Sequence, residues 1–461
     1  MRVLNMRLNP TPSPSPRRGE GWLIAALCAA VLLSACATED DKDVLFSDTE
    51  KAIINTLIYK APSGEASNQY VNNSAAATLG RKFFWDPQFS GDIVVQGNRG
   101  AGYAPKTDGS SARQISCATC HAPSFGWADN TSNPNNLSLG TNLTNRNSPT
   151  VLNTSFNTYS TWTGGTDSVW AVMRPAIEGT TTQNFSRAGV AYIICRNNTS
   201  TYLADYTAVF GAPNCADVPA AGASPFTSAN NWGRDIASNS TINTMFANFG
   251  KAIGAYEHEL VSKNSAFDQW AEGNENAMTT AQKRGLKVFI GKGNCVRCHS
   301  GSNFSDGSFH NLGVPQVGGA LGVMDEGRYT GIADLTTGAN STFNTNSSFN
   351  ATPSVNRVSG LSRTDTDVGK FKTPTLRSVN KTPPYFHNGT FNSLWDVVNF
   401  YNFAGNAGNF PGTKDSILTT RRMTNEEMED LVTFLKALEG EALASSLTTS
   451  PGGFGTTTNW P

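Results

Sequence analysis

The chain has 461 residues, 38% hydrophobic and only 15% charged, with a formal net charge of −1. That length allows several domains and a substantial core; the scattered, balanced charge leaves no basic stripe for nucleic acid, and the apolar content is too high for a disordered chain. Asn, Ser, Thr and Gly make up the deficit in charge, so the expected surface is polar but largely uncharged.

Residues 1–36 read as an export leader. Arg17 and Arg18 precede an apolar run over 22–33, too short to span a bilayer and of the right length for a signal-peptide core. The run ends in Leu33-Ser34-Ala35-Cys36, which looks like a bacterial lipobox, where the Cys becomes the acylated N-terminus. An ordinary signal peptide with an incidental Cys is the alternative. Ala37 follows that Cys and, by similarity to lipoprotein sorting rules, favours the outer membrane. The expectation is a body held by lipid at Cys36 in the periplasm or at the cell surface, with 37–70 as a tether or N-terminal extension.

Further along, Cys117-Ala118-Thr119-Cys120-His121 is a C-x-x-C-H motif, and Cys295-Val296-Arg297-Cys298-His299 repeats it 178 residues later. Thiols three positions apart reach the two vinyl groups of one haem, and the adjacent His presents its imidazole to the iron. A zinc site would need four converging ligands, which a chain with five histidines supplies poorly. A redox C-x-x-C would not need the His twice. Two covalent c-type haems are therefore expected, one in each half of a duplicated unit. Between the motifs, Cys195 and Cys215 remain, and an oxidising periplasm favours a disulfide that closes a surface loop.

Residues 242–260 and 279–290 read as helices. Thr424-Asn425-Glu426-Glu427 matches a capping box ahead of Leu431, Phe434, Leu435 and Leu438, one face of a closing amphipathic helix. Stretches 196–230 and 333–369 read as long loops or insertions. The predicted fold is mainly α: two cytochrome c-like helical domains, residues 71–265 and 266–445, each around a haem, with long loops and a flexible tail at 446–461.

Several linked motifs carry a resemblance: LGRKFFWDP (79–87), ISCATCHAPSFGWAD (115–129), NRNSPTVLN (145–153), NFSDGSFHNLG (303–313), FKTPTLRSV (371–379), TPPYFHNG (382–389) and VVNFY (397–401). In this order the chain resembles the bacterial di-haem cytochrome c peroxidases and their relative MauG, from about residue 79 to 438. The resemblance implies hydrogen peroxide reacting at the N-terminal haem while the C-terminal haem stores or relays electrons. His121 and His299 are then the proximal iron ligands. Many peroxidases of the family cap the first haem with a further His, and no His lies between 122 and 257. The first haem is thus expected to be uncapped, as in the MauG branch.

At the second haem the peroxidase branch places a Met fourteen residues after the His of its PYxH motif. Here that position is Tyr401, as in MauG-type proteins, and haem iron accepts Tyr as a ligand elsewhere. Met324, Met423 or Met428 as the ligand, with Tyr401 as an interior aromatic, is the alternative. Trp162 matches the tryptophan between the haems, and Asn147, Thr382 and Pro384 match an inter-haem calcium site, whose oxygen donors suit a hard cation. Pro175 matches the distal-pocket proline. The Gln expected before it reads Ala171 or Val172, and Thr181 stands where the distal Glu is expected. Glu178 is the nearest carboxylate, and a catalytic role there competes with a solvated loop charge. His258 reads as a structural helix His. His310 and His387 belong to motifs near the second haem, where structural and direct roles are equally compatible. MauG oxidises its partner protein through a surface Trp just ahead of the second motif; here Gly293-Asn294 fills that place.

The leading expectation is a MauG-like oxidoreductase that uses peroxide to oxidise a protein partner, through catalytic Trp162, Pro175 and Glu178. Alternatives are a cytochrome c peroxidase fed by a small redox protein, and a non-enzymatic electron-transfer cytochrome.

Overall fold

The computed structural model describes residues 44–94, 114–129, 137–196, 201–219, 239–316, 324–405, 408–452 and 454. The leader and Cys36 lie outside these residues. The helices of the first part are α1 (Asp48–Leu57), α2 (Ser74–Trp85), α3 (Cys117–Cys120), α4 (Met173–Glu178), α5 (Arg187–Arg196), α6 (Tyr202–Phe210) and α7 (Ser240–Glu259). They are followed by α8 (Ala266–Ala271), α9 (Thr280–Ile290), α10 (Arg328–Thr336), α11 (Leu394–Asn402), α12 (Asn425–Lys436) and α13 (Ser445–Thr448). Two short strands, β1 (Phe309–His310) and β2 (Phe371–Lys372), pair antiparallel with Phe309 opposite Lys372. None of the described helices is long and apolar enough to cross a membrane.

The long helices start where side-chain caps satisfy their first backbone donors. Asn73 caps α2 and Asn239 caps α7, while Thr279 with Gln282 and Thr424 with Glu427 make full capping boxes on α9 and α12. The second box is the one legible in the sequence. Helix α12 then buries Met428, Leu431, Phe434 and Leu435, and Leu438 stays buried just past its end.

Two helix crossings organise the molecule, and each depends on a glycine. A Cβ on Gly80 of α2 would run into the carbonyl of Ala252 on α7, and one on Gly285 of α9 into that of Asp430 on α12. Only hydrogen lets the backbones approach this closely. Each crossing brackets one C-x-x-C-H motif in the chain. The core follows the same division: one cluster takes Leu79, Phe83, Phe84 and residues through Leu260, the other Phe267, Leu286, Phe289 and residues through Leu438.

Three segments are placed differently from expectation. The tether at 37–70 includes α1, whose Ile54 and Leu57 enter the second core. The loop at 333–369 is pinned to the first half, with Phe343 in the first core and 4.7 Å from the Arg187 guanidinium. Thr345 donates its N–H and hydroxyl to Asp167 Oδ2 at 2.8 and 2.5 Å. Finally, the flexible tail begins with a structured stretch. Its α13 returns to the first half, where the Tyr256 hydroxyl donates to Leu447 O at 2.6 Å and Arg81 donates to Thr449 O at 2.6 Å. Apolar side chains in each segment find a buried face, which a composition of Asn, Ser and Thr conceals. Cys195 and Cys215 form a disulfide, as expected.

Candidate functional site

Each C-x-x-C-H motif sits on a single tight turn, α3 for the first and a 3-10 turn over Cys295–Arg297 for the second. The two histidines are oriented alike. His121 Nδ1 lies 3.3 Å from Trp127 O, and His299 Nδ1 lies 2.9 Å from Phe304 O. Donation to a carbonyl fixes the proton on Nδ1 and leaves Nε2 as a lone-pair ligand. Burial lowers both imidazole pKa values and keeps the rings neutral, as a metal ligand requires.

Beside the second motif opens an apolar cavity with about 1430 Å³ of atom-free space, including its mouth. Cys295, Cys298 and His299 line it together with Tyr401, Phe289, Val398 and Leu431. The cavity, its thiol pair and the imidazole fit a covalent haem. Tyr401 reaches it because α11 turns Val397, Val398 and Tyr401 to one face. Its hydroxyl makes no hydrogen bond among the described residues, and burial, with the nearby sulfurs, pushes the phenol well above its ordinary value. The sulfurs' share ends once they become thioethers, and a metal ion on the oxygen would displace the proton. Of the three methionines, Met423 lines the same cavity, Met428 is packed in the core of α12, and Met324 is 44% exposed.

The region between the halves is tied together by Asn147. Its N–H donates to His387 O at 2.7 Å, its Nδ2 to Pro384 O at 2.7 Å, and its carbonyl accepts the Trp162 indole N–H at 2.8 Å. Trp162 also lines the cavity, 6.4 Å from the His387 ring. Among the described residues the Asn147 Oδ1 is buried with no hydrogen-bond partner. The amide nitrogen faces the Pro384 carbonyl, so a hard cation there would take both oxygens once the amide is turned about. Thr382 is two residues from Pro384 and abuts Gly126 of the first motif's loop.

On the first motif's side, Gln183 Nε2 lies 3.5 Å from Cys117 Sγ. Pro175 is in α4, its carbonyl accepting the Thr182 hydroxyl at 2.9 Å. The structure corrects the reading of Glu178 as a solvated loop charge: it ends α4 and is largely buried. Arg187 grips both of its oxygens, at 2.5 and 2.8 Å, and Arg174 lies at 3.2 Å. Burial pushes this carboxyl up, but the Arg187 hydrogen bonds and both cations outweigh it and hold the group below its ordinary value. Thr181 offers a carbonyl to Asn142 N–H at 3.3 Å.

The remaining histidines have defined partners. His258 bonds to the Ser155 hydroxyl at 2.5 Å, which matches the structural reading. His310 bridges Asp306 at 3.1 Å and Asp415 at 2.8 Å; the Asp306 bond first, then the Cys298 sulfur and the Asp415 bond, push it up, and the sulfur's share ends once Cys298 is a thioether. His387 stacks on Phe371 at 3.6 Å, and burial pushes it down to about 3. Sequence reasoning missed Glu257, which accepts from the Thr154 hydroxyl at 3.2 Å and is pushed up to about 8 by burial. It also missed Lys372, which lines the cavity and is pushed down to about 8 by burial. Glu257 is one of two acids at the end of α7, and nothing local distinguishes the buried one from Glu259.

Two histidine-backed C-x-x-C-H turns, set in the two halves of a helical chain, define a di-haem c-type cytochrome. A family model for di-haem cytochrome c peroxidases matches residues 74–276. Among curated relatives, the cytochrome-c peroxidase IdrP1 of a Pseudomonas species is 30% identical over 382 residues, covering 81% of this chain and 83% of its own. The methylamine utilization protein MauG of Methylorubrum extorquens is 28% identical, covering 81% and 80%. Cytochrome c551 peroxidase of Pseudomonas aeruginosa is 25% identical, covering 90% and 89%. The fold matches a MauG-like protein associated with microbial copper homeostasis at a TM-score of 0.58, with 21% identity and 86% and 97% coverage. The diheme peroxidase BthA of Burkholderia thailandensis matches at 0.58, with 19% identity and 82% and 90% coverage. The chain belongs to the di-haem cytochrome c peroxidase family, and is an oxidoreductase of that type.

Proposed function

We propose that this chain is a MauG-like oxidoreductase that uses hydrogen peroxide to oxidise a protein partner. The observation that carries this reading is Tyr401, lining the same cavity as His299, with no hydrogen bond to its hydroxyl among the described residues. Two c-type haems attached at Cys117/Cys120 and Cys295/Cys298 would supply the redox chemistry, reducing peroxide to water while both centres give up electrons. His121 and His299 hold their rings in the ligating tautomer. Tyr401 would hold the second iron through an anionic oxygen, a ligand that favours higher oxidation states than a thioether does. Trp162, held by Asn147, bridges the space between the centres, while Asn147, Pro384 and Thr382 supply the oxygens of a calcium site. Glu178, with its two arginines, holds the α4 segment containing Pro175 in place. The lipid anchor at Cys36 keeps the protein near the outer membrane and a partner there.

The second reading is a peroxidase that draws electrons from a small redox protein, and Met423 in the same cavity favours it. The optical spectrum of the diferric protein separates the two. Tyr401 ligation predicts no methionine–iron charge-transfer band in the wild type and its appearance in Tyr401→Met. The band in the wild type, lost in Met423→Leu, would move the assignment to the second reading.

A further inference from the structure

A row of aromatic rings leads away from the first haem motif in a direction Trp162 does not serve. The imidazole of His121 is 3.3 Å from the carbonyl of Trp127, whose indole is buried. The Trp127 ring centre is 6.3 Å from that of Tyr256, fully buried on α7. The Tyr256 hydroxyl in turn accepts the indole N–H of Trp85 at 3.1 Å. Phe84 fills the space alongside, 6.5 Å from the His121 ring and 5.3 Å from that of Tyr256. Trp85, at the end of α2, is only half-buried and brings the row to solvent.

Indole and phenol rings give up an electron more readily than aliphatic or phenylalanine side chains, and rings this close transfer it quickly. We propose that Trp127, Tyr256 and Trp85 form an electron-entry route to the first haem site, with the Trp85 indole as the surface port where a protein one-electron donor is oxidised. The proposal rests on the peroxide-using reading above and deepens it. It supplies a path to a protein partner where Gly293-Asn294 leaves no ring ahead of the second motif.

The electrons and protons balance as follows. Hydrogen peroxide takes two electrons, and two protons from solvent, to become two waters. Each electron leaves Trp85 singly, and the indole proton stays on its bond to the Tyr256 hydroxyl, so the oxidised ring is a cation radical. The donor returns one electron to it, so two donor molecules are oxidised per peroxide. Tyr256 differs from the two indoles. Its hydroxyl donates to the Leu447 carbonyl at 2.6 Å, which is no base, and burial pushes its phenol up to about 12. Electrons therefore cross Tyr256 without removing its proton, and the charge rests on Trp127 and Trp85.

The test uses the diferric holoprotein, grown with ring-deuterated tryptophan and mixed with stoichiometric peroxide without donor. Freeze-quench electron paramagnetic resonance reads radicals, and peptide mass mapping of the unaltered protein reads oxygen added to tryptophan. The expected result is a tryptophan radical and oxygenated Trp85. In Trp85→Phe the radical signal should fall to what Trp127 alone holds while the haem spectrum still responds to peroxide, and in Trp270→Phe it should stay at full strength. An unchanged radical in Trp85→Phe, or oxygenation confined to other tryptophans, overturns the route and leaves the peroxide reading standing. A haem spectrum that ignores peroxide overturns that reading, and the route with it.

Discussion

At Tyr401 and Glu178, residue identity and residue environment carry different amounts of the function. The Tyr could be located by counting from His387, because one helix turns it onto the face that carries Val397 and Val398. Glu178 could not be assigned in this way, because its partner Arg187 lies nine residues further on, at the start of the next long helix. The Arg174 pair, four residues back on the same helix, is a local signal, but the bidentate Arg187 pair across a bend leaves no periodic trace. Glu257 was equally hidden, since burial at a helix end depends on what packs over it. Its buried acid makes a pH prediction. The folded value of about 8 lies above the roughly 4.3 of an unfolded Glu. Between these values the folded chain holds a proton that the unfolded chain has released. This contribution to stability is therefore full below the lower value and declines as pH rises through the window. Thermal melts of the holoprotein in Glu257→Gln should show a flatter decline than wild type between about pH 5 and pH 8; equal slopes would contradict the assignment.

Helices were the most legible elements. Residues 279–290 and the Thr424 box matched the structure because caps and apolar spacing are local signals. What the pattern did not show is how closely the helices cross. Gly80 and Gly285 read as mild helix weakeners, yet each lets a carbonyl of the opposing helix approach to where a side chain would stand. Gly285→Val should force α9 and α12 apart, costing on the order of 1–3 kcal/mol or more in overpacking. A lower melting temperature and poorer haem retention in the second half would register it. A fully stable variant would show that the crossing can relax. The stretch at 333–369 is largely loop, as its composition predicts; what the composition hid is its anchoring, because its few aromatics, Phe343 above all, are diluted among polar residues that also find buried partners, such as Thr345 on Asp167.

Over the whole molecule, the duplication was visible in the two C-x-x-C-H motifs, but the ties between the halves were not. The first half holds α13 and the 333–369 insertion, and the second holds α1, so the chain ties its parts together by exchange at both ends. Asn147 is the central tie, and its orphaned Oδ1 is the basis for a cation there. Chelating calcium should lower the melting temperature of the holoprotein, and re-addition should restore it in proportion to site occupancy. In Asn147→Ala, the melting temperature should be lower from the start and insensitive to chelator. A wild type indifferent to chelation would remove calcium from the account.

The central claim is an uncapped first haem paired with a Tyr-ligated second one, reacting with peroxide directly. The most direct test is the electron paramagnetic resonance spectrum of the diferric protein before and after one equivalent of peroxide. The account predicts one high-spin and one low-spin signal, both lost on adding peroxide with no prior reduction. Two low-spin signals that ignore peroxide until one haem is reduced would contradict it.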